Sequence, residues 1–209
     1  MGLGNPGPVY DGTRHNLGYV AVRHVARELG LPRFRRARHG LATTGSRDPG
    51  DGRGRGRGSG QPEGALTLLL PTTYMNGSGL AVVAALRGHV LPPGDLIVVH
   101  DDLDLPAGRL KLRLGGSSGG HRGVASIIGE LGRDAFVRVK IGIGRPPEGV
   151  DPVDFVLERP SPTEEEILSE AALRAAEAVL AVLREGLEEA MSRFNRTPDD
   201  TSAGGVVSC

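Results

Sequence analysis

Short apolar runs of strand length alternate with helical patterns along this chain. That alternation argues for an α/β domain built around a mixed β-sheet. Residues 16–29 carry Leu17, Val20, Val22, Val25, Ala26 and Leu29 on one side at helical spacing. Residues 66–70 read as a short buried strand ended by Pro71, and Asn76 as the cap of a helix running to about Arg87. Residues 96–99 predict a strand ending at His100-Asp101. Leu110, Leu112 and Leu114 alternate with Lys111 and Arg113, the mark of a half-buried strand with a basic outer face. A glycine-rich turn leads into a helix over 123–131, followed by a strand over 137–143. Ser161-Pro162-Thr163-Glu164 is a capping box with proline at the first helical position, opening a long helix to about Glu185.

With 209 residues, one domain over 1–195 is expected, with a polar, disordered tail at 196–209. Residues 45–64 hold no Leu, Ile, Val or aromatic residue and read as a flexible Gly/Arg-rich loop insertion. The single cysteine, Cys209, excludes a disulfide framework and a Cys-ligated zinc site. No apolar run reaches membrane-spanning length, so a cytoplasmic protein is expected, with no membrane association.

The formal net charge is zero, yet the charges are sorted along the chain. Residues 33–59 hold eight arginines against Asp48 and Asp51. Residues 109–145 hold eight basic residues against Glu130 and Asp134, and residues 148–200 hold fourteen acids against five arginines. A polyanion can therefore bind one face of a chain that is neutral overall.

Three motif matches fail on their context. Gly2-Leu3-Gly4-Asn5-Pro6-Gly7 fits the dinucleotide fingerprint, but only Met1 precedes it and Pro6 and Pro8 obstruct the helix it needs. Residues 115–119 fit G-x-S-x-G, but the last histidine of the chain, His121, comes only four residues later, so no acid-then-His triad can follow. Asp101, Asp102 and Asp104 lie where aspartates form ordinary turns after a strand. No metal and no cofactor are expected.

What survives is a set of polar residues at loop positions after strands, where α/β sheets build sites. Asn5 lies in the first turn, His15-Asn16 and Asn76 at helix entrances, Asp101 at a strand end and His121-Arg122 in the glycine turn. A histidine and a carboxylate that orients its ring suffice to activate water as a general base. Amide side chains can hold a carbonyl or a developing oxyanion. His100 and Asp101 are neighbours on a strand and point to opposite faces, so only one of them can enter the site, and the acid is chosen.

These residues sit in strings that resemble the bacterial-type peptidyl-tRNA hydrolases: GLGNPGPVYDGTRHNLG at 2–18, PTTYMNGSG at 71–79, VVHDDLDLPAGRLKLRLGGSSGGHRG at 98–123 and VRVKIGIGRPP at 137–147. The resemblance implies a single α/β domain with a twisted mixed β-sheet flanked by helices, and hydrolysis of the ester joining a peptide to the tRNA 3′ ribose, recycling tRNA from stalled translation. It implies His15 as general base and Asp101 as the carboxylate orienting it. Asn5 and Asn76 would place the peptide and the water, with Tyr10, Tyr74, Met75, His121 and Arg122 in the same cleft. Lys111, Arg113 and Lys140 would contact tRNA phosphate. The enzyme is expected to be a monomer with no obligate protein partner. Three departures stand out. Arg122 replaces the usual Asn, Lys140 replaces the usual Arg, and most of the strand before the GLGNPG turn is missing. The last leads to the expectation that Met1 occupies a position internal to the natural chain. A catalytically weakened RNA-binding relative on the same fold is the alternative reading, and a small-molecule esterase a third.

Overall fold

The structure, a computed structural model, describes residues 1–47, 64–87 and 95–196. Strands β1 (Arg35–Ala37), β2 (Gly40–Ser46) and β3 (Ala65–Pro71) form an antiparallel sheet in the order β1-β2-β3. Strands β4 (Ile97–Asp102), β5 (Leu110–Leu114) and β6 (Val137–Gly142) form a second sheet in the order β4-β6-β5. In it β4 runs parallel and β5 antiparallel to β6. Residues 1–3 lie in the seam between the sheets. Gly2 N donates to Leu69 O (3.0 Å), Leu3 N to Val99 O (2.9 Å), and Val99 N to Met1 O (2.9 Å). This segment makes a single parallel bridge, Gly2 with Val99, which divides the mixed sheet into two three-stranded parts.

Helices cover both faces, and alternation along the strands feeds two cores. On one face α1 (Leu17–Glu28), α5 (Pro162–Glu185) and α6 (Leu187–Phe194) bury Val22, Val25, Leu168 and Ala175 against Leu70, Val99, Val139 and Ile141. On the other, α2 (Ser78–Leu86) and α3 (Arg122–Leu131) bury Val82 and Ile127 against Leu3, Leu69, Val98 and Phe136. A short helix α4 (Pro152–Leu157) joins the last strand to α5. The approach of α1 to the seam depends on Gly18. A Cβ there would lie 2.4 Å from Val99 O and 2.5 Å from Leu3 O. That close approach carries the turn holding His15, three residues earlier, against β4.

Several expectations change. Asn76 does not cap α2: it belongs to a 3-10 turn, Met75–Gly77, the cap position is Gly77, and no side chain caps the helix. The 45–64 segment is not wholly loop. Gly45 and Ser46 continue the β2 ladder opposite Leu66 and Ala65, and Arg47 N donates to Gly64 O. Its centre, like residues 197–209 of the expected tail, lies outside the described residues. The strand expected to end at His100-Asp101 runs one residue further, to Asp102, and carries both inside the ladder. Strands β1 and β2 and helices α4 and α6 have no counterpart in the sequence pattern. The capping box at Ser161 is formed in both directions, as expected. No helix among the described residues is long and apolar enough to cross a membrane.

Candidate active site

A cleft with a volume of about 270 Å³ opens where the seam, β4, the glycine turn and α4 meet. Asn5, His15, Met75, Asp101, His121 and Arg122 are among its lining residues, and Pro152, Val153, Val156 and Leu157 of α4 form an apolar wall.

At its floor lies one buried carboxylate held by two imidazoles. His15 Nδ1 lies 2.8 Å from Asp101 Oδ2 and 3.0 Å from Oδ1. His121 Nε2 lies 3.1 Å from Asp101 Oδ1. The tautomers follow from the partners. His121 Nδ1 faces the backbone N–H groups of Gly123 (3.1 Å) and Val124 (3.3 Å), which can only donate. It must therefore be unprotonated, so the proton sits on Nε2 and is donated to Asp101. The same two bonds make His121 the cap of α3. His15 likewise donates its Nδ1 proton to the carboxylate, which leaves Nε2 as the free basic nitrogen.

Burial alone would lower the His15 pKa. The charge and hydrogen bonds of Asp101 outweigh it and hold the imidazole above the ordinary histidine value, against a smaller opposing effect of Arg122. Burial would raise the Asp101 carboxyl, but the two histidines hold it well below the usual range. His15, Asp101 and His121 also form a grouping with metal-ligand atoms within 4.8 Å of one another. With Nδ1 of His15 and Nε2 of His121 both donating protons to the carboxylate, these nitrogens have no lone pair for a cation. The aspartates at 101, 102 and 104 do not converge on a cation site either. Asp101 holds the histidines, Asp102 pairs with Lys140, and Asp104 pairs with Arg145. Asp102 Oδ1 also accepts from Asp104 N (2.9 Å), closing the expected turn.

His100 stays out of the cleft. Its ring is fully buried, its Nδ1 donates to the Asp101 carbonyl (2.6 Å), and its Nε2 has no partner among the described residues. Burial, with His121 nearby, pushes its pKa down to about 3. It is a neutral imidazole inside the sheet.

Two residues to which the sequence assigned no role position the site. Asn16 accepts from Asn5 N (2.8 Å) and donates to Asn5 O (3.0 Å), pinning the backbone of Asn5 and leaving the Asn5 side chain for the cleft. Its place beside His15 at a helix entrance was the available signal. Arg138, buried on β6, donates to the carbonyls of Gly116 and Ser117 and so braces the glycine turn that delivers His121. Nothing in the sequence separates it from the other basic residues of that stretch. The turn itself sits close: a Cβ at Gly123 would meet Met75 Sδ at 2.5 Å.

The remaining expected residues are less uniform. Met75 is buried in the cleft wall. Tyr10 and Tyr74 pack edge to face, with centroids 6.1 Å apart, and are not among the lining residues. Tyr74 has φ of 56°, a costly backbone for a residue with a side chain, directly before Met75. Asn76 is exposed and outside the lining. Lys111 and Arg113 are exposed on β5. Lys140 is different: it faces Lys111 across the ladder, but its ammonium is ion-paired with Asp102 and only 17% exposed. Within the protein its charge is paired with Asp102, unlike those of Lys111 and Arg113.

The family model described as "Peptidyl-tRNA hydrolase" matches residues 1–202. The chain is 45% identical over 196 residues to the peptidyl-tRNA hydrolase of Moorella thermoacetica, covering 93% of this chain and 96% of that protein. It is also 45% identical over 198 residues to that of Dehalococcoides mccartyi, covering 93% and 97%. The crystal structure of the Acinetobacter baumannii peptidyl-tRNA hydrolase superposes with a TM-score of 0.79 at 31% identity, over 93% of this chain and 92% of that one. On fold, cleft and sequence together, this chain belongs to the peptidyl-tRNA hydrolase family.

Proposed function

We propose that this protein hydrolyses the ester between peptide and tRNA in peptidyl-tRNA, with water as the nucleophile and His15 as the general base. The observation that carries the reading is the free Nε2 of a buried imidazole whose other nitrogen is held by Asp101. Water bound at Nε2 loses its proton to the ring as its oxygen attacks the ester carbonyl. The imidazolium so formed is stabilised by the Asp101 carboxylate. Proton return to the 3′ ribose oxygen then releases the tRNA. A positioned base of this kind supplies about 10²–10⁴-fold in rate, and a donor to the oxyanion about 10²–10³-fold.

His121 keeps Asp101 ionised and oriented rather than touching the water. The Asn5 side chain, whose Oδ1 has no partner among the described residues, suits an N–H of the peptide. The apolar wall of α4 accepts the peptide side of the substrate, and the exposed Lys111 and Arg113 take tRNA phosphate. Asn76 enters this scheme only as a residue at the outer rim. The reaction needs no cofactor or protein partner, and the enzyme acts as a cytoplasmic monomer.

Hydrolysis of N-blocked aminoacyl-tRNA, measured beside free aminoacyl-tRNA and a simple ester, tests the reading. Cleavage of the blocked tRNA alone is expected. Binding without cleavage would leave an RNA-binding protein, and cleavage of the simple ester alone would leave a small-molecule esterase.

A further inference from the structure

The cleft makes no use of the first basic stretch. Arg33, Arg35, Arg36 and Arg38 are all exposed on or beside β1, and none has an ion-pair or hydrogen-bond partner among the described residues. No acid occurs between Glu28 and Asp48 to offset them. β1 is the outer strand of its sheet. Phe34 and Leu41 pack against the core beneath it, so the cations stand on an anchored hairpin. One or two charges suffice to keep an edge strand from pairing with another chain. Four like charges in six residues repel one another, and a polyanion relieves that repulsion.

The hairpin also adjoins the cleft. Thr72 N donates to His39 O (2.9 Å) at the β1–β2 turn, and Met75 of the cleft wall follows three residues later, at most about 11 Å of chain. With residues 1–3 bonded to both β3 and β4, the strands line up in one row, with β1 at one end and β5 at the other. Six inter-strand steps at about 4.8 Å place these two basic edges roughly 29 Å apart. Asn5 and Asp101, from the middle of the row, lie between them.

We propose that Arg33, Arg35, Arg36 and Arg38 form a second phosphate-binding edge, which takes the tRNA backbone of the same substrate at the end of the sheet opposite Lys111 and Arg113. This rests on the peptidyl-tRNA reading above. The substrate's ester lies in the cleft while its polyanionic body spans both edges, so this edge contributes affinity and nothing to the chemical step.

The test compares the wild type with the R33Q/R35Q/R36Q/R38Q variant on two substrates: N-blocked aminoacyl-tRNA, and the same N-blocked ester on a short 3′-terminal oligonucleotide. On the full-length substrate KM is expected to rise about 10-fold or more with kcat unchanged. The slope of log affinity for deacylated tRNA against log salt should fall by about 0.7–0.9 for each phosphate that the variant no longer neutralises. On the short substrate kcat/KM should stay the same. An unchanged KM and salt slope overturns the proposal, as does an equal effect on both substrates, which would locate it in the cleft. Aggregation of the variant with tRNA binding intact would make these arginines guards of the strand edge and likewise overturn it. If the wild type cleaves neither substrate, the hydrolase reading fails. The edge is then judged on deacylated tRNA alone: weaker binding by the variant supports it and equal binding overturns it.

Discussion

The cleft floor and the strand edges hold charge in opposite ways. Asp101 and His15 are buried, lie within 3 Å of each other, and titrate away from their ordinary values. Lys111 and Arg113 stand in solvent on β5, and Arg35 and Arg36 on β1, with no such partner. A buried charge costs free energy unless its partner is fixed, so the cleft groups are rigid and suited to moving a proton. An exposed cation keeps its hydration until phosphate displaces it, so in the proposed function the edges tune affinity and respond to salt. Under the proposed function, rate and affinity fall to different residues. Lys140 shows the boundary: it lies on the same ladder as Lys111, yet it is half-buried and ion-paired with Asp102.

This division can be broken by substitution. The largest effect is expected for His15→Ala, with kcat lower by about 10²–10⁴-fold and tRNA affinity changed less than about threefold. Single-turnover cleavage with parallel filter binding reads both, and weaker binding at an unaltered rate would dissolve the division. Next comes K111Q/R113Q. Its tRNA affinity should fall about 10-fold at physiological salt, its salt slope should drop by about 0.7–0.9 for each phosphate released, and kcat should hold. A flat salt response in the wild type would remove the phosphate role.

Arg122 sits between the classes, exposed but lining the cleft, and its charge disfavours protonated His15. Arg122→Gln should therefore raise the His15 pKa and move the acid limb of kcat/KM to higher pH, with less than about a 10-fold change in the plateau. An acid limb that stays in place would separate Arg122 from the base.

The smallest effect on catalysis is expected at His100, which acts on stability instead: it is buried without a carboxylate on its ring. Burial keeps its folded pKa at about 3, below the unfolded value of 6.5, so the unfolded chain binds the extra proton. Its contribution to stability is thus complete above pH 6.5 and is lost as pH falls toward 3, with a slope of up to about 1.4 kcal/mol per pH unit. Denaturant unfolding of His100→Leu should show a shallower decline over that window than the wild type. An equal decline would mean that His100 is protonated in the folded protein.

Much of this was legible in the chain because it rests on local signals. Helical spacing over 16–29, the Ser161 capping box and the alternation at 110–114 each report on their own neighbourhood, and the folded elements match them except at Leu114, which is exposed at the end of β5. The pairing of His15 with Asp101 bridges 86 positions and was reachable only through resemblance to a family. β1 and β2 escaped because their residues are mostly exposed or small, which leaves no apolar period to read. Asn76 misled because the residue type that favours a cap also suits a 3-10 turn. Arg138 and Lys140 look like surface cations in sequence. Only the ladder shows that one is buried as a brace for the glycine turn and the other neutralised by Asp102.

Whether Asp101 holds His15 as the working base is decided by the pH dependence of kcat/KM for wild type and Asp101→Asn on N-blocked aminoacyl-tRNA. In the wild type the acid limb should lie above the ordinary histidine value of 6.5, because the carboxylate favours the protonated ring. Removing that charge should move the limb to lower pH and lower the plateau about 10²-fold or more. An acid limb at the same pH in both proteins would show that the carboxylate does not set the base.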